Sequence, residues 1–320
     1  MKNKQNKGFI TVVVWSLLLI ASVVYSLFSY LDWSASITYT LVVNVRLPRV
    51  LLALLAGMGL TLAGQMFQII LNNTLADSFT LGLASGATVG AAIATFLGLS
   101  FVWIAPFAMV VGFSTLVIVI MMTKLIANGG FKRSLILSGI MIGSLFNAII
   151  FLMVQMNPKR LQSVMNYMFG GFSSAEYREV VYIAIAFVII VICLFLQVSQ
   201  IKLLQVDAYS SMALGIDVQR LSVMVLILAT ILSTIIIGFT GVIGFIGIVI
   251  PQFVQRITEH TLSYKMILNI IIGGTIMVLA DTVGAQLLAP IQLPASIILA
   301  LIGIPMMFYL MIVERERRID

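Results

Sequence analysis

The sequence predicts an all-α, polytopic membrane protein of about ten transmembrane helices. The chain of 320 residues is 61% hydrophobic and only 9% charged, and its mean hydropathy is +1.16. Apolar runs of about 18 residues or more recur along its whole length, and such runs are long enough for a helix to cross a bilayer. They lack the alternation of apolar and polar residues that a barrel strand requires. We therefore expect residues 1–320 to form a single transmembrane domain.

The composition also excludes several classes of function. The net charge of +7 is spread over short loops and forms no basic, aromatic-rich face of the kind that binds nucleic acid. The single cysteine, Cys193, and the single histidine, His260, argue against a disulfide framework and against a metal site. Neither a phosphate-binding glycine loop nor a nucleophile–histidine pair occurs. The sequence therefore predicts neither an enzyme nor a directly bound cofactor.

Ten spans account for the hydrophobic pattern. They lie at about 9–30, 47–70, 81–101, 104–126, 135–156, 179–199, 221–240, 243–257, 264–283 and 294–313. The first is longer than the core of a signal peptide and is expected to be a retained helix. An even number of spans places both termini on one side. If that side is the cytosol, 13 of the 18 basic residues lie inside and five outside, as the positive-inside rule requires.

Two of the outer basic residues flank the start of the second span. Arg46 and Arg49 surround Pro48, which is well tolerated in the first turn of a helix. Three residues apart, the two arginines share one helix face and are expected to point to the outer medium. Two interpretations stay open at this point. The arginines are either membrane-interface anchors or a docking point for carboxylates of an extracellular partner.

The second span combines small residues with two amides. Gly57, Gly59 and Gly64 permit close helix packing. Gln65 and Gln68 lie on one face, where they either line a translocation pathway or make hydrogen bonds between helices.

The fifth span repeats this combination of small and polar residues. Ser138, Ser144 and Asn147 accompany Gly139 and Gly143 at spacings near one helical turn. This stripe either lines a conduit or seals a pair of helices.

Three further segments carry local signals. Residues 173–176 resemble a capping-type start of the sixth span. The glycine-rich segment 238–247, followed by Pro251, predicts a short or broken eighth span. Asp281, near the outer end of the ninth span, is the one carboxylate expected within the membrane zone. It is a functional candidate unless a backbone group or hydroxyl holds it.

The longest cytosolic interruption, 201–221, is too polar for lipid and is patterned as a short amphipathic helix that ends at Gly215. We expect it to dock on a partner protein, and a helix lying on the lipid headgroups is the alternative. Almost no titratable groups lie in the spans, which disfavours an ion-coupled carrier. If transport is uphill, its energy must come from a separate protein or an ion gradient, and segment 201–221 is a suitable handle for an ATPase.

Several motifs in the same order resemble one family. They are RLPRVLLALLAGMGLTLAGQMFQIILNNTLADSFTLGLASGA (46–87), MFGGFSSAEYREV (168–180), ALGIDVQRL (213–221), GFIGIVIPQFVQRI (244–257) and LADTVGAQLLAPIQLPASIILALIGIPMMFYLM (279–311). Together they resemble the permeases that import iron-siderophores, haem and vitamin B12, the type II ABC importers. The resemblance covers nearly the whole chain.

The resemblance implies a bacterial plasma-membrane permease that pairs with a second permease copy, identical or paralogous. Two cytosolic ATPase subunits would supply ATP hydrolysis, and a substrate-binding lipoprotein would dock outside. The family roles then fall on three groups of residues. Binding-protein docking falls on Arg46 and Arg49, and the cytosolic gate on Asn73, Thr74, Leu75, Arg133 and Ser134. ATPase coupling falls on the helices of about 202–220, at Asp207, Ser210, Ser211, Ala213, Leu214, Gly215 and Asp217.

The chain departs from the family pattern at three positions. Thr74 replaces the usual proline of the gate turn, which leaves the stiffness of the gate open. Gln252 replaces a histidine after Pro251, which is expected to remove a polar contact. Ala285 stands where some members have a third docking arginine.

The function expected from these observations is translocation of a ferric siderophore into the cytoplasm. The same machinery carrying haem or a corrinoid is the first alternative. An ion-coupled secondary carrier is the second.

Overall fold

The structure is a computed structural model that describes residues 2–29, 38–126, 130–205 and 217–316. Its regular elements are all helical. They are α1 (Lys2–Phe28), α2 (Thr38–Leu41), a π-helical turn (Val42–Arg46), α3 (Leu47–Leu71), α4 (Leu83–Phe96), α5 (Phe101–Ile126), α6 (Phe131–Met156), a 3₁₀ turn (Pro158–Arg160), α7 (Leu161–Phe169), α8 (Tyr177–Leu196), α9 (Val198–Leu203), α10 (Val218–Thr240), α11 (Ile246–Ile257), α12 (Leu262–Gln286) and α13 (Ala295–Glu316).

The predicted fold class is confirmed. Among the described residues, seven apolar segments are long enough to cross a bilayer, and three shorter apolar helices accompany them. The shorter ones are α4, α11 and the apolar part of α13. These ten helices correspond in order to the ten predicted spans. In the following, the outer end of the bundle is the one that the distribution of basic residues assigns to the outside.

Helix α3 is the centre of the bundle. In its most apolar window 78% of the residues are buried, against 6% for α1, which lies at the periphery. The close approach predicted from its glycines is confirmed. A Cβ atom added to Gly57 would lie 2.3 Å from the carbonyl oxygen of Gly273 on α12, and one added to Gly64 would lie 2.1 Å from that of Gly247 on α11. Such contacts place backbone directly against backbone.

The eighth span is short, one of the two forms that the glycine-rich segment predicted, and an irregular break separates it from the seventh span. Helix α10 ends at Thr240, and α11 begins only at Ile246 and has 12 residues. Between them Gly241 has φ +72° and Phe245 has φ +68°, values in the left-handed region that end a regular helix. Within a membrane, the N–H and C=O groups of irregular backbone must form hydrogen bonds with other protein groups, because lipid tails offer no hydrogen-bond partners.

The short helix α7, which was not predicted from the sequence, supplies some of these hydrogen bonds. Residues at and just after its C-terminal end form hydrogen bonds with the residues around the break. Gly171 N donates to Thr240 O (2.8 Å), and Val242 N donates to Tyr167 O (3.0 Å). The Tyr167 hydroxyl donates to Ile237 O at 2.8 Å. Gly170 is required at this contact, since its φ is +59° and an added Cβ would lie 2.6 Å from Val242 O.

One predicted boundary is wrong and another is confirmed. The third span was expected over 81–101, but α4 covers only 14 residues because Gly82 (φ +71°) precedes it and Gly98 (φ +70°) follows it. The capping-type start of α8 was expected at 173–176, and the structure confirms it. Its N-cap is Glu176, in a reciprocal capping box with Glu179. Because Glu179 is the third residue of the helix, the box fixes the start at Tyr177.

Candidate docking, gate and pathway sites

At the outer end, Arg49 is held within the chain. Its Nε donates to Asp281 Oδ2 at 2.7 Å and its Nη2 to Asp281 Oδ1 at 2.9 Å, while Nη1 donates to Gln292 Oε1 at 2.9 Å. The side chains of Arg49 and Asp281 are 17% and 6% exposed. This bidentate pair joins α3 to α12. The expectation that Arg49 points to the outer medium is therefore wrong, and Asp281 has an arginine partner that the sequence analysis did not identify.

Arg46 is held differently. Its Nη1 donates to Leu27 O (3.0 Å) and Ser29 O (2.6 Å), carbonyls at the C-terminal end of α1. The last carbonyls of a helix lack partners within the helix, so this contact caps α1. Within the described ranges no carboxylate lies within ion-pairing distance of Arg46.

A cavity of about 540 Å³ lies beside both arginines at the outer end. Its walls come from α1, the π-helical turn, α3, α12 and the loop after α12. The polar residues that line it are Ser26, Ser29, Arg46, Arg49, Asp281, Thr282, Gln286 and Gln292. Ala285, where some family members have an arginine, also lines it. Hydrogen bonds from Thr282 Oγ1 to Ser26 Oγ (2.8 Å) and from Gln286 Nε2 to Ser29 Oγ (3.0 Å) tie α12 to α1.

The predicted cytosolic gate turn is a compact β-turn. Ala76 N donates to Asn73 O (3.1 Å), and Asn73 Oδ1 accepts from Leu75 N (3.0 Å). The second bond is an Asx-type contact that mimics a backbone turn. Asn72 ends α3 in the left-handed conformation. Thr74 and Leu75 are exposed at the tip of the turn.

Gln252 contacts this turn, which corrects the expectation that its replacement of histidine removes a polar contact. Its Nε2 donates to the carbonyl oxygen of Thr74. Because Gln252 lies on α11, the bond ties the gate turn to the short helix that follows the break. The sequence gives no direct signal for this bond, since the two residues are 178 positions apart.

Asp77 closes the loop behind the turn. Its Oδ1 accepts from Phe79 N and Thr80 N, each at 3.0 Å, and its side chain is buried. Burial raises the pKa of Asp77 to about 6, against the lowering effect of the hydrogen bonds from Thr80 and Phe79.

The other two gate candidates begin α6. Arg133 is exposed and Ser134 is buried. Further along α6, a Cβ atom added to Gly139 would lie 2.5 Å from Thr80 O. Helix α6 thus packs against the loop that follows the gate turn.

The two amide pathway candidates on α3 lie inside the bundle. Gln68 Nε2 donates to Gly247 O (3.1 Å) and Ile248 O (3.3 Å), at the start of α11. Gln65 is 2% exposed, and its Oε1 has no hydrogen-bond partner in the described part of the chain. Asn269 on α12 is also buried with its amide unpaired there, and the sequence analysis did not select it.

The structure separates the three pathway candidates on α6. Ser138 is buried, as are Gly139 and Gly143, and the closest neighbours of the two glycines are the backbone of Thr80–Leu81 and Gly82. Ser144 and Asn147 are exposed on the surface of the single chain. Ser144 Oγ donates a hydrogen bond to Ile140 O at 2.9 Å, whereas Asn147 makes no hydrogen bond with any described residue.

Most of the predicted ATPase-coupling residues, Asp207, Ser210, Ser211, Ala213, Leu214 and Gly215, lie outside the described residues. Asp217 is described as the N-cap of α10, where its Oδ1 accepts from Arg220 N at 3.0 Å. On the other side of the gap, α9 ends at Leu203, and Ile201 and Leu204 are buried.

No cluster of three or more potential metal ligands occurs among the residues for which coordinates are described. The site elements among the described residues are an outer charged cavity, a gate turn linked to the short helix α11, and an exposed polar face on α6. A helical membrane bundle with these elements belongs to the class of transport permeases. The FecCD transport family model matches residues 9–313, and the chain belongs to this family.

Known proteins that are similar to the chain are also transport permeases. The chain is 32% identical over 284 residues to the uncharacterized ABC transporter permease protein YvrB of Bacillus subtilis (strain 168), covering 87% of this chain and 80% of that one. It is 31% identical over 281 residues to a probable iron chelatin transport system permease protein of Helicobacter pylori (strain J99), covering 87% and 83%.

Two further similarities extend this result. The molybdate import system permease protein MolB of Haemophilus influenzae is 29% identical over 265 residues, covering 82% of this chain and 78% of that one. A solved inward-facing conformation of a metal-chelate type ABC transporter matches with a TM-score of 0.84 and 28% identity, covering 94% of this chain and 97% of that one. The chain is thus an integral membrane permease of ABC importer type.

Proposed function

We propose that the chain is the membrane conduit of an ATP-driven importer that carries a ferric siderophore into the bacterial cytoplasm. A second permease copy would complete the conduit. Two ATPase subunits would bind the cytosolic side at about 202–220, and a lipoprotein would deliver the substrate outside. In this arrangement both termini face the cytoplasm. The ATP is bound and hydrolysed by the partner subunits.

The observation that carries this proposal is the exposed polar face of α6. Asn147 has no hydrogen-bond partner among the described residues and lies at the surface of a helix with the composition of a membrane span. An unpaired amide facing hydrocarbon is costly, so polar groups in spans normally face protein or water. A second copy that faces α6 across an aqueous path provides such surroundings for Ser144 and Asn147.

The carboxylates of the bundle favour an external energy source. Glu179 and Asp281, both near outer ends of spanning helices, are engaged in a helix cap and in an arginine pair. Carboxylates held in this way are poor members of a proton relay, which needs groups that change partners. Hydrolysis of ATP on a separate subunit supplies the driving force instead.

The choice of an iron chelate follows from the relatives. The Helicobacter pylori relative is named for iron chelatin and the solved neighbour for metal chelates, whereas MolB is named for molybdate. Haem or a corrinoid carried by the same machinery is the alternative cargo. These substrates share recognition by a separate binding protein, so the permease path needs few specific contacts.

Cysteine labelling tests the conduit. In a Cys193→Ser background, Asn147→Cys should react with a membrane-impermeant thiol reagent at least tenfold faster than Val188→Cys. The cysteine thiolate is the nucleophile that attacks the reagent, and it forms in water and not in lipid. Val188, on α8, is an apolar residue with 53% exposure and serves as the lipid-facing control. Equal, slow labelling of both positions would contradict a water path along α6.

A further inference from the structure

A second cavity lies within the membrane part of the bundle, between α11, α12 and α13. Its volume is about 360 Å³, and Trp15 of α1 also lines it. Every lining residue has an apolar side chain or is a glycine. An apolar cavity of about 150 Å³ in another protein stays free of water and binds apolar molecules. The larger apolar cavity of this chain is therefore suited to an apolar ligand and not to water.

The length and depth of this apolar cavity match one leaflet of a bilayer. Its lining residues run from Ile272 to Val283 on α12 and from Ile298 to Met306 on α13. At a rise of 1.5 Å per residue, these stretches are about 16 and 12 Å long. Both begin about one turn from the outer end of their helix. The apolar cavity thus covers about half of the ~30 Å hydrocarbon core, on the outer side.

The apolar cavity is closed on one side and open on another. Ile246 and Ile250 of α11 are buried and form part of its floor. Leu279, Val283 and Ile302 also line it, but they are 37%, 42% and 64% exposed at the surface of membrane helices. A slot of this kind is accessible from the hydrocarbon of the bilayer. A long, flexible, apolar chain entering from the lipid fits both its shape and its lining.

Helix α11 makes its other contacts away from this cavity. Gly247 packs on α3, and Gln252 binds the gate turn. Val249 and Phe253 instead face the apolar cavity. Atoms that line an empty space lose dispersion contacts because they have no partner there. A hydrocarbon chain in the cavity would restore these contacts and hold α11 against α13.

We infer that the apolar cavity binds one acyl chain of a phospholipid from the outer leaflet, and that this chain completes the packing between α11 and α13. Among the described residues no charged side chain lines the cavity, so the tail of the lipid is recognised and not its headgroup. The site is separate from the outer charged cavity and from the polar face of α6. It does not depend on the identity of the cargo or on the ATPase.

Trp15 is a reporter inside the apolar cavity. The chain has two other tryptophans, Trp33 and Trp103. In a Trp33→Phe, Trp103→Phe background, the full-length permease is reconstituted with phospholipid brominated near the end of its tails. It is then extracted and washed in mild detergent. Bromine quenches tryptophan fluorescence only at close range, so Trp15 should stay quenched after the wash, with one phospholipid per chain by native mass spectrometry.

A second tryptophan serves as the control for loosely held lipid. Trp103 is 54% exposed in the first turn of α5 and does not line the apolar cavity. In a Trp15→Phe, Trp33→Phe background, its fluorescence should be quenched in the bilayer and should recover during the wash.

Two variants obstruct the apolar cavity in different ways. Ala280→Leu fills it from α12, and Ile302→Phe narrows its mouth. Each should lower the retained quenching of Trp15 by roughly fivefold or more, because several methylene groups of the tail lose their buried contacts. Leu301→Phe is the matched control, since Leu301 is 65% exposed on the same helix but does not line the cavity. It should keep the quenching of the parent protein.

Thermal unfolding provides an independent measurement. A ligand that binds the folded protein and not the unfolded chain raises the thermal midpoint. Adding phospholipid back to the washed protein should therefore raise the midpoint of the parent protein more than that of Ala280→Leu. An equal rise in both would contradict binding in the cavity.

Three further outcomes would overturn the inference. Recovery of Trp15 fluorescence as complete as that of Trp103 would show that no tail is held. Retained quenching that neither Ala280→Leu nor Ile302→Phe reduces would place the lipid outside the cavity. Disulfide-linked dimers of Ile302→Cys, formed in the bilayer in a Cys193→Ser background, would show that a second copy of the chain covers the mouth.

Discussion

Thr74 shows how one turn keeps its shape without the proline that the family usually has there. The turn is closed by the Asn73 carbonyl and side chain, and the Thr74 carbonyl is held by Gln252. The amide N–H of Thr74 donates to nothing in the described ranges. Position two of a type I turn accepts proline readily because proline fixes φ near the required value.

Thr74→Pro should therefore stabilise the protein by about 0.4–1 kcal/mol, mainly by restricting the unfolded chain. The Gln252 bond survives, because it uses the carbonyl and not the amide. Leu75→Pro is the matched control. It removes the N–H that donates to Asn73 Oδ1 and should lower the thermal midpoint in detergent. A lowered midpoint for Thr74→Pro as well would contradict the turn geometry.

Asp77 makes the same loop sensitive to pH. Its pKa in the folded protein, about 6, lies above the ordinary value of 3.8. A raised folded pKa means that protonation favours the folded state, so this contribution is complete below pH 3.8 and is lost as the pH rises through 6. Asp77→Asn keeps an oxygen acceptor for Phe79 N and Thr80 N but cannot ionise.

The thermal midpoint of wild type relative to Asp77→Asn should therefore be higher at pH 5 than at pH 7.5. Taking the difference between the two proteins cancels the pH response of every other group. A difference that is the same at both pH values would show that Asp77 does not titrate in this range.

Among the elements, the contact of α3 with α11 is the most constrained. Gly64 faces the backbone of Gly247, and one turn further along Gln68 binds the first carbonyls of α11. Helix α11 thus begins against a surface of α3 with no side chain. This arrangement lets a short helix be attached both to the central helix and, through Gln252, to the gate turn.

Gly64→Ala should cost about 1–3 kcal/mol, because the backbone of Gly247 leaves an added methyl group no room. Gly143→Ala is the matched control in another membrane helix, since its added Cβ would lie at an ordinary 3.4 Å from Gly82 Cα. Thermal unfolding in detergent should separate the two variants. Equal midpoints would indicate that α3 and α11 can part without cost.

For the whole molecule, the hydrophobic pattern predicts the order and number of the membrane helices because apolar length is a local property. The cluster of glycines likewise predicts the break after Thr240, since glycines weaken a helix through its own backbone, whatever its neighbours are. It does not predict the Arg49–Asp281 pair, whose members lie 232 positions apart. Such a pair depends on which helices are neighbours, and a single sequence does not determine neighbours.

The same distinction applies to the sites. Glycine and polar residues on α6 form one stripe in the sequence, but in the folded chain Ser138 is buried whereas Ser144 and Asn147 are exposed. Helix α7 was missed because nine residues with moderate hydrophobicity resemble an outer loop. Its role becomes visible only when Tyr167 and Gly171 meet the end of α10.

The measurement that tests the central claim most directly is uptake of a radiolabelled ferric siderophore into proteoliposomes. The permease is reconstituted with its ATPase subunits and supplied with the substrate-loaded lipoprotein. Parallel arms contain haem, a corrinoid or molybdate. We predict uptake of the ferric siderophore that requires enclosed ATP and is lost when the ATPase subunits are omitted. Equal uptake by the permease alone, driven by a proton or sodium gradient, would contradict the account.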